Sequence, residues 1–193
     1  MSTRGVRLRA HRKRVQAERR FLKHKRINQM APPGPRASIF VLDHLKPNFN
    51  IGKIFRSADG FGVREIHLVG IDFFDPAPAM GAFKWVPARF YPDFDSCYKA
   101  LSKADYSLYT LEPKKGLPLG NARLPACSAF VFGHEEYGLS FDPEAYPDIQ
   151  ALTIPQSGRT ESFNVSVAAS VVMYEYARQH PSRPDKLTGK QDS

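Results

Sequence analysis

The sequence predicts an α/β domain with a mostly parallel sheet and helices on both faces, and three observations predict it. From residue 37 to about 180, short apolar runs suited to strands alternate with segments of helical periodicity. The first of those runs, SIFVLD at 38–43, is continuously apolar, as a strand buried on both faces is. Polar loops containing glycine or asparagine follow several of the strands, where open sheets of this type hold their ligands.

Each element has its own signal. NIGKIFRSADGFG, 50–62, reads as a helix ending at glycines, and EIHLVG, 65–70, as the next strand. Residues 71–84, rich in Asp, Pro and Phe, read as a loop with a helical turn near Met80–Lys84. WVPARFY, 85–91, is expected at a sheet edge because Pro87 cannot donate to a ladder. SCYKALSKA, 96–104, is a helix and YSLYTL, 106–111, a strand. KKGLPLGNARLP is a loop, SAFVFG, 128–133, a strand, HEEYGLS a polar turn, and IQALTI, 149–154, the last strand. The final helix is predicted by Val165, Ala168, Ala169, Val172, Met173 and Tyr176, which recur every three or four residues. Ser162 and Asn164 stand where a side-chain oxygen can accept from the first free amides, and the helix stops before Pro181.

Composition bounds the function classes. The chain has 193 residues, 42% of them hydrophobic, with 14 Phe and 8 Tyr, enough for one packed domain and an extension. Cys97 and Cys127 make no close-spaced pair, so neither a disulfide framework nor a zinc motif is indicated. No apolar run is long enough to cross a bilayer and no apolar signal core is read at the amino terminus, so a cytoplasmic location is expected. Residues 1–26 hold eleven Lys or Arg against the single acid Glu18, a net +10, whereas the rest of the chain carries −1 of the total +9. Charge this dense is the electrostatic footprint of a polyanion partner, with Arg12, Lys13, Arg14, Arg19, Arg20 and Lys23 as candidate nucleic-acid contacts. Its apolar residues are too few for a membrane-surface helix. Domain organisation follows: a basic arm and the APPGP linker over 1–36, the folded domain over 37–181, and a flexible tail over 182–193.

Three polar stretches, NFNIGKIFRS, GHEEYGLS and PQSGRTESFN, are expected to converge. Familiar chemistries are absent from them. Gly60 and Gly62 end a helix where a dinucleotide fingerprint would begin one, no Walker sequence occurs, the six His have no ligand spacing, and no serine sits in a nucleophile elbow. Metal, nicotinamide and acyl-transfer chemistry are thereby excluded.

Taken in order, the three stretches resemble the signature motifs of the SpoU or TrmH family of SPOUT-class RNA methyltransferases, over residues 38–180. Asn50 and Arg56 match the first motif. Gly133, Glu135 and Gly138 match the second, and Ile154, Pro155, Gly158, Ser162, Asn164, Ser166 and Ala168 the third. The resemblance implies a Rossmann-like, mostly parallel sheet with a C-terminal deep trefoil knot, a homodimer with its site at the subunit interface, and methyl transfer from S-adenosyl-L-methionine to a ribose 2′-hydroxyl of tRNA or rRNA. It implies cofactor contacts around Thr110, Leu111, Gly133, Ile154 and Phe163, where leucine is usual at the position of Phe163. His134 and Glu136 fall at positions the motif leaves open.

The resemblance also implies roles. Arg56 would meet the substrate phosphate and the developing alkoxide, because a guanidinium stays charged at physiological pH and makes a poor base. Asn50, Glu135, Ser162 and Asn164 would orient Arg56, the ribose and the donor. Three other readings compete: a base methyltransferase, a catalytically silent RNA-binding protein of the same fold, and a small-molecule enzyme, which fits poorly with the basic arm.

Overall fold

The structure, a computed structural model, describes residues 3–181, so the expected tail at 182–193 lies outside the described residues. In chain order the elements are α1 (Thr3–Asn28), β1 (Ile39–Asp43), α2 (Phe49–Phe61), β2 (Glu65–Val69), β3 (Ala88–Tyr91), α3 (Phe94–Lys103), β4 (Ser107–Leu111), β5 (Leu117–Pro118), β6 (Ser128–Phe132), β7 (Gln150–Thr153) and α4 (Val165–Gln179). The strands form one sheet in the order β3-β2-β1-β6-β4-β7-β5, with every pairing parallel.

Strand alternation divides the core in two. Phe40, Leu42, Ile66, Leu68, Phe130 and Phe132 point to the face covered by α2 and α4, while Ile39, Val41, Val69, Leu108, Ala129 and Val131 point to the face covered by α3. Helices therefore lie on both faces, as expected. β3 occupies an edge, which is where Pro87 required it. α2 stops because Gly62 takes φ of 66°, a left-handed conformation that costs glycine little. The 71–84 stretch contains two short 3₁₀ turns, 77–79 and 82–84. Within the loop over 114–125, β5 is a two-residue strand, too short to leave a periodic trace in sequence.

α1 does more than the small number of its apolar residues suggests. Ala17, Phe21 and Asn28 are buried and His24 is half-buried, at helical spacing. Phe21 enters the core against Phe73, Phe74 and Phe83. Asn28 donates to the carbonyls of Phe83 and Val86, at 2.7 Å each, and accepts from Ala88 N at 3.0 Å. Two of the four inward residues are polar, so the stripe does not register as hydrophobic. The linker also lies against the domain, with Gly34 N donating to Arg64 O and Arg36 N to Gly62 O, both at 3.0 Å.

Under α3 the sheet carries a buried polar chain. Burial pushes the Cys97 thiol up to about 12, so it keeps its proton and can donate to His67 Nδ1 at 3.4 Å. His67 Nε2 then donates to Glu65 Oε1 at 3.2 Å, and Arg89 Nε to Glu65 Oε2 at 2.7 Å. Burial lowers the His67 pKa and so favours the neutral ring. Burial alone would raise the Glu65 carboxyl, but the bonds from His67 and Arg89 outweigh it and hold the group at about 2. A folded pKa below the unfolded one means stability that is present above pH ~4.3 and lost as pH falls toward 2. Denaturant midpoints should therefore drop through that window, and Glu65→Gln should flatten the drop. An unchanged slope in the variant would remove Glu65 from acid sensitivity.

Candidate active site

The carboxyl ends of β4, β6 and β7 and the approach to α4 enclose a cleft of about 470 Å³. One wall is Leu111, Phe132 and Gly133. Another is Ile154, Phe163, Val165 and Ala168. Glu135 and Ser162 add polar atoms. This size, with apolar walls and a few convergent polar groups, suits a nucleoside-sized ligand. Of the expected contact residues, Leu111, Gly133, Ile154 and Phe163 line the cleft. Thr110 sits one residue back, 2% exposed and paired within the sheet.

The three polar stretches meet at the cleft's mouth. Asn164 caps α4 by accepting from Ser166 N at 2.9 Å, and its Oδ1 also accepts from Ser166 Oγ at 2.6 Å. That leaves its Nδ2 to donate to Asn50 Oδ1 at 3.2 Å, and Asn50 Nδ2 donates to Glu135 Oε1 at 2.8 Å. Glu135 Oε2 accepts from Lys46 N at 3.0 Å. Burial would raise the Glu135 carboxyl, but the Lys46 amide and the Asn50 side chain overcome it and hold the pKa below the usual range. Glu135 is thus an ionised orienting group and a weak base.

Gly133 and Gly138 let the loop fold back tightly. His134 N donates to Gly138 O at 2.7 Å and Gly138 N to His134 O at 2.9 Å, with Gly138 at φ of 74°. His134 Nδ1 accepts from Glu136 N at 3.0 Å and Tyr137 N at 3.2 Å, which leaves Nε2 as the protonated donor of a neutral ring.

Arg56 stands apart. It lines a second groove with Lys53, Ser57, Met80, Ser170 and Tyr174, on the other flank of α4 from Val165 and Ala168. Ser57 Oγ and Ser170 Oγ, 2.8 Å apart, fasten the two helices along this groove. Arg56 is exposed and has no hydrogen-bond or ion-pair partner among the described residues. In one chain, then, the network of Asn50, Glu135 and Asn164 is assembled with Ser162 beside it, and the guanidinium faces elsewhere.

The fold and this network point to one family, and comparison with known proteins decides it: the model of the SpoU rRNA Methylase family matches residues 37–174. The chain belongs to that family. Among curated relatives, the tRNA (guanosine(18)-2′-O)-methyltransferase of Thermus thermophilus is 30% identical over 167 residues, 84% of this chain and 85% of the relative. The 23S rRNA (guanosine-2′-O-)-methyltransferase RlmB of Xylella fastidiosa is 31% identical over 180 residues, 91% of this chain and 72% of the relative. The structure of an AdoMet-bound rRNA methyltransferase from Sinorhizobium meliloti shares the fold, with a TM-score of 0.68 at 22% identity, over 81% of this chain and 61% of that one.

Several residues of this SpoU-family cleft carry no signal in the sequence reading. Glu112 and Pro113 line it because they directly follow β4, whereas Gln156 and Leu139, which also line it, lie inside the third and second polar stretches without having been singled out as contacts. Lys46 contributes through its backbone, which no side-chain pattern reveals. The basic candidates lie on α1. Arg12, Lys13, Arg19 and Lys23 are exposed, Arg14 pairs with Glu18 at 2.9 Å, and Arg20 with Asp75 at 3.3 Å.

Proposed function

We propose that this protein is an S-adenosylmethionine-dependent methyltransferase that modifies a ribose 2′-hydroxyl of tRNA or rRNA. The observation that carries the reading is the bonded chain Asn164, Asn50, Glu135 at the mouth of a nucleoside-sized cleft, in a chain whose curated relatives are named 2′-O-methyltransferases. The cofactor fits what is there. Leu111, Ile154 and Phe163 offer apolar contact for an adenine ring, and the strand ends offer backbone donors and acceptors for its edge. When bound, S-adenosylmethionine supplies an electrophilic methyl group on a sulfonium. The protein's part is to hold and orient. Asn50 and Asn164 fix the ribose edge, Ser162 contributes a hydroxyl, and Glu135 keeps both amides in one orientation. Arg56 stabilises the developing alkoxide and the adjacent phosphate. The reaction as proposed uses no metal.

Several finer features belong to the same proposal. α4 returns from β7, beyond β4, to pack on α2, and we take the segment from β7 through α4 as the family's deep trefoil knot. The Arg56 groove, flanked by exposed Met80, Val167 and Tyr174, is read as the face of a homodimer that brings Arg56 to the partner's cleft. Residues 37–181 form the methyltransferase domain, residues 1–36 its basic arm and linker, and 182–193 a flexible tail. No helix among the described residues is long and apolar enough to cross a membrane, and a cytoplasmic site of action is proposed.

The test is a transfer assay with labelled donor and unmodified tRNA or rRNA, followed by alkaline hydrolysis. A 2′-O-methyl group removes the nucleophile that alkali uses, so label should appear in alkali-resistant dinucleotides. Label in mononucleotides would indicate base methylation. No label, with RNA still bound, would leave a silent binding protein.

A further inference from the structure

At the sheet edge away from the cleft, Trp85 is the chain's single tryptophan and is 57% exposed, although its neighbours Phe83 and Val86 are buried. The backbone carrying it is held firmly: Trp85 N donates to Ala82 O at 2.9 Å, and Asn28 grips the carbonyls of Phe83 and Val86 on either side. The indole is thus an exposed aromatic surface on a fixed mount.

Its surroundings are positive. Lys84 Nζ lies over one face of the indole ring, 5.0 Å from its centroid. Lys84, Arg20 and Lys23 all lie near enough to His24 that, after burial, their charges help to lower its pKa. Arg20 has Asp75 as counter-charge, while Lys23 is exposed. A flat ring beside cations matches the two requirements of single-stranded nucleic acid, a base face to stack and phosphates to neutralise. A base in a duplex offers no free face, so the occupant is an unpaired stretch.

We propose that Trp85 is a stacking platform for an unpaired RNA base, with Lys84 and Lys23 taking the neighbouring phosphates. The inference rests on RNA being this protein's substrate, and it adds a contact surface separate from the cleft and from any cofactor.

Because Trp85 is the single tryptophan, its emission reports the site directly. Full-length protein without methyl donor should show saturable quenching with a short oligouridylate, and none with an abasic ribose-phosphate chain of equal length. Trp85→Ala should weaken binding of a fluorescein-labelled oligouridylate roughly 5- to 150-fold, the equivalent of one stacked base. Trp85→Phe should retain most of the affinity. Oligonucleotide binding without quenching, or Trp85→Ala binding as tightly as wild type, would overturn the proposal. So would a blue shift on phosphatidylserine vesicles with no response to oligonucleotide, which would assign the surface to lipid. Quenching without methyl transfer would keep this site and remove the proposed activity, and transfer with undiminished RNA affinity in Trp85→Ala would do the reverse.

Discussion

Replacing Arg56 with alanine is expected to lower methyl transfer by about 10²- to 10³-fold with donor affinity unchanged, the loss that follows removal of one preorganised charge from a developing anion. Donor affinity should hold because Arg56 touches none of the cleft, from which α4 separates it. Folding should hold as well, because the side chain is exposed and no bond among the described residues depends on it. Arg56→Lys should recover little, since an ammonium cannot present the planar fork that meets alkoxide and phosphate together. Measuring kcat beside calorimetric donor binding checks both halves, and retained turnover would exclude Arg56 from the chemistry. Placement on the far side of α4 gives a second consequence. If the guanidinium serves the partner's cleft, mixing Arg56→Ala subunits with subunits whose cleft cannot bind donor should restore turnover that neither has alone.

The separation of Arg56 from the cleft shows where sequence reasoning runs out. The order of the three polar stretches, and the rule that parallel sheets bind ligands at their carboxyl ends, were enough to bring Asn50, Glu135 and Asn164 together. Spacing along α2 could not say which flank of α4 Arg56 would reach, because that depends on how two helices cross. The continuous apolar run of β1 made the two-sided core legible. The docking of α1 was hidden for the opposite reason. Its inward face mixes Ala17 and Phe21 with His24 and Asn28, and Asn28 is accommodated by three backbone bonds that appear only when the 83–88 segment is in place. The same docking means that deleting residues 1–26 would uncover Phe83 and Phe74 as well as remove charge, so reversing exposed charges such as Arg12, Arg19 and Lys23 tests RNA recruitment more cleanly.

Gly133→Ala should abolish donor binding while the rest of the domain stays folded. A Cβ at this position would stand 2.4 Å from Gly138 C, 2.5 Å from Gly138 O and 2.6 Å from Leu139 N, all backbone atoms without a rotamer to escape through. Relief requires the 134–138 turn to open, breaking the paired bonds between His134 and Gly138. Opening it withdraws Glu135 from Lys46 and Asn50, and Asn50 then no longer holds Asn164. One added methyl group therefore dismantles both the wall of the cleft and the network at its mouth. The stability cost should be about 1–3 kcal/mol, typical of overpacking, and small enough for a cooperative unfolding transition to survive. Gly120→Ala is the control, because nothing lies within 4 Å of its Cβ position, and it should bind donor like wild type. Calorimetry on the two variants decides the matter: donor binding by Gly133→Ala near the wild-type level would mean that the cofactor does not depend on this turn.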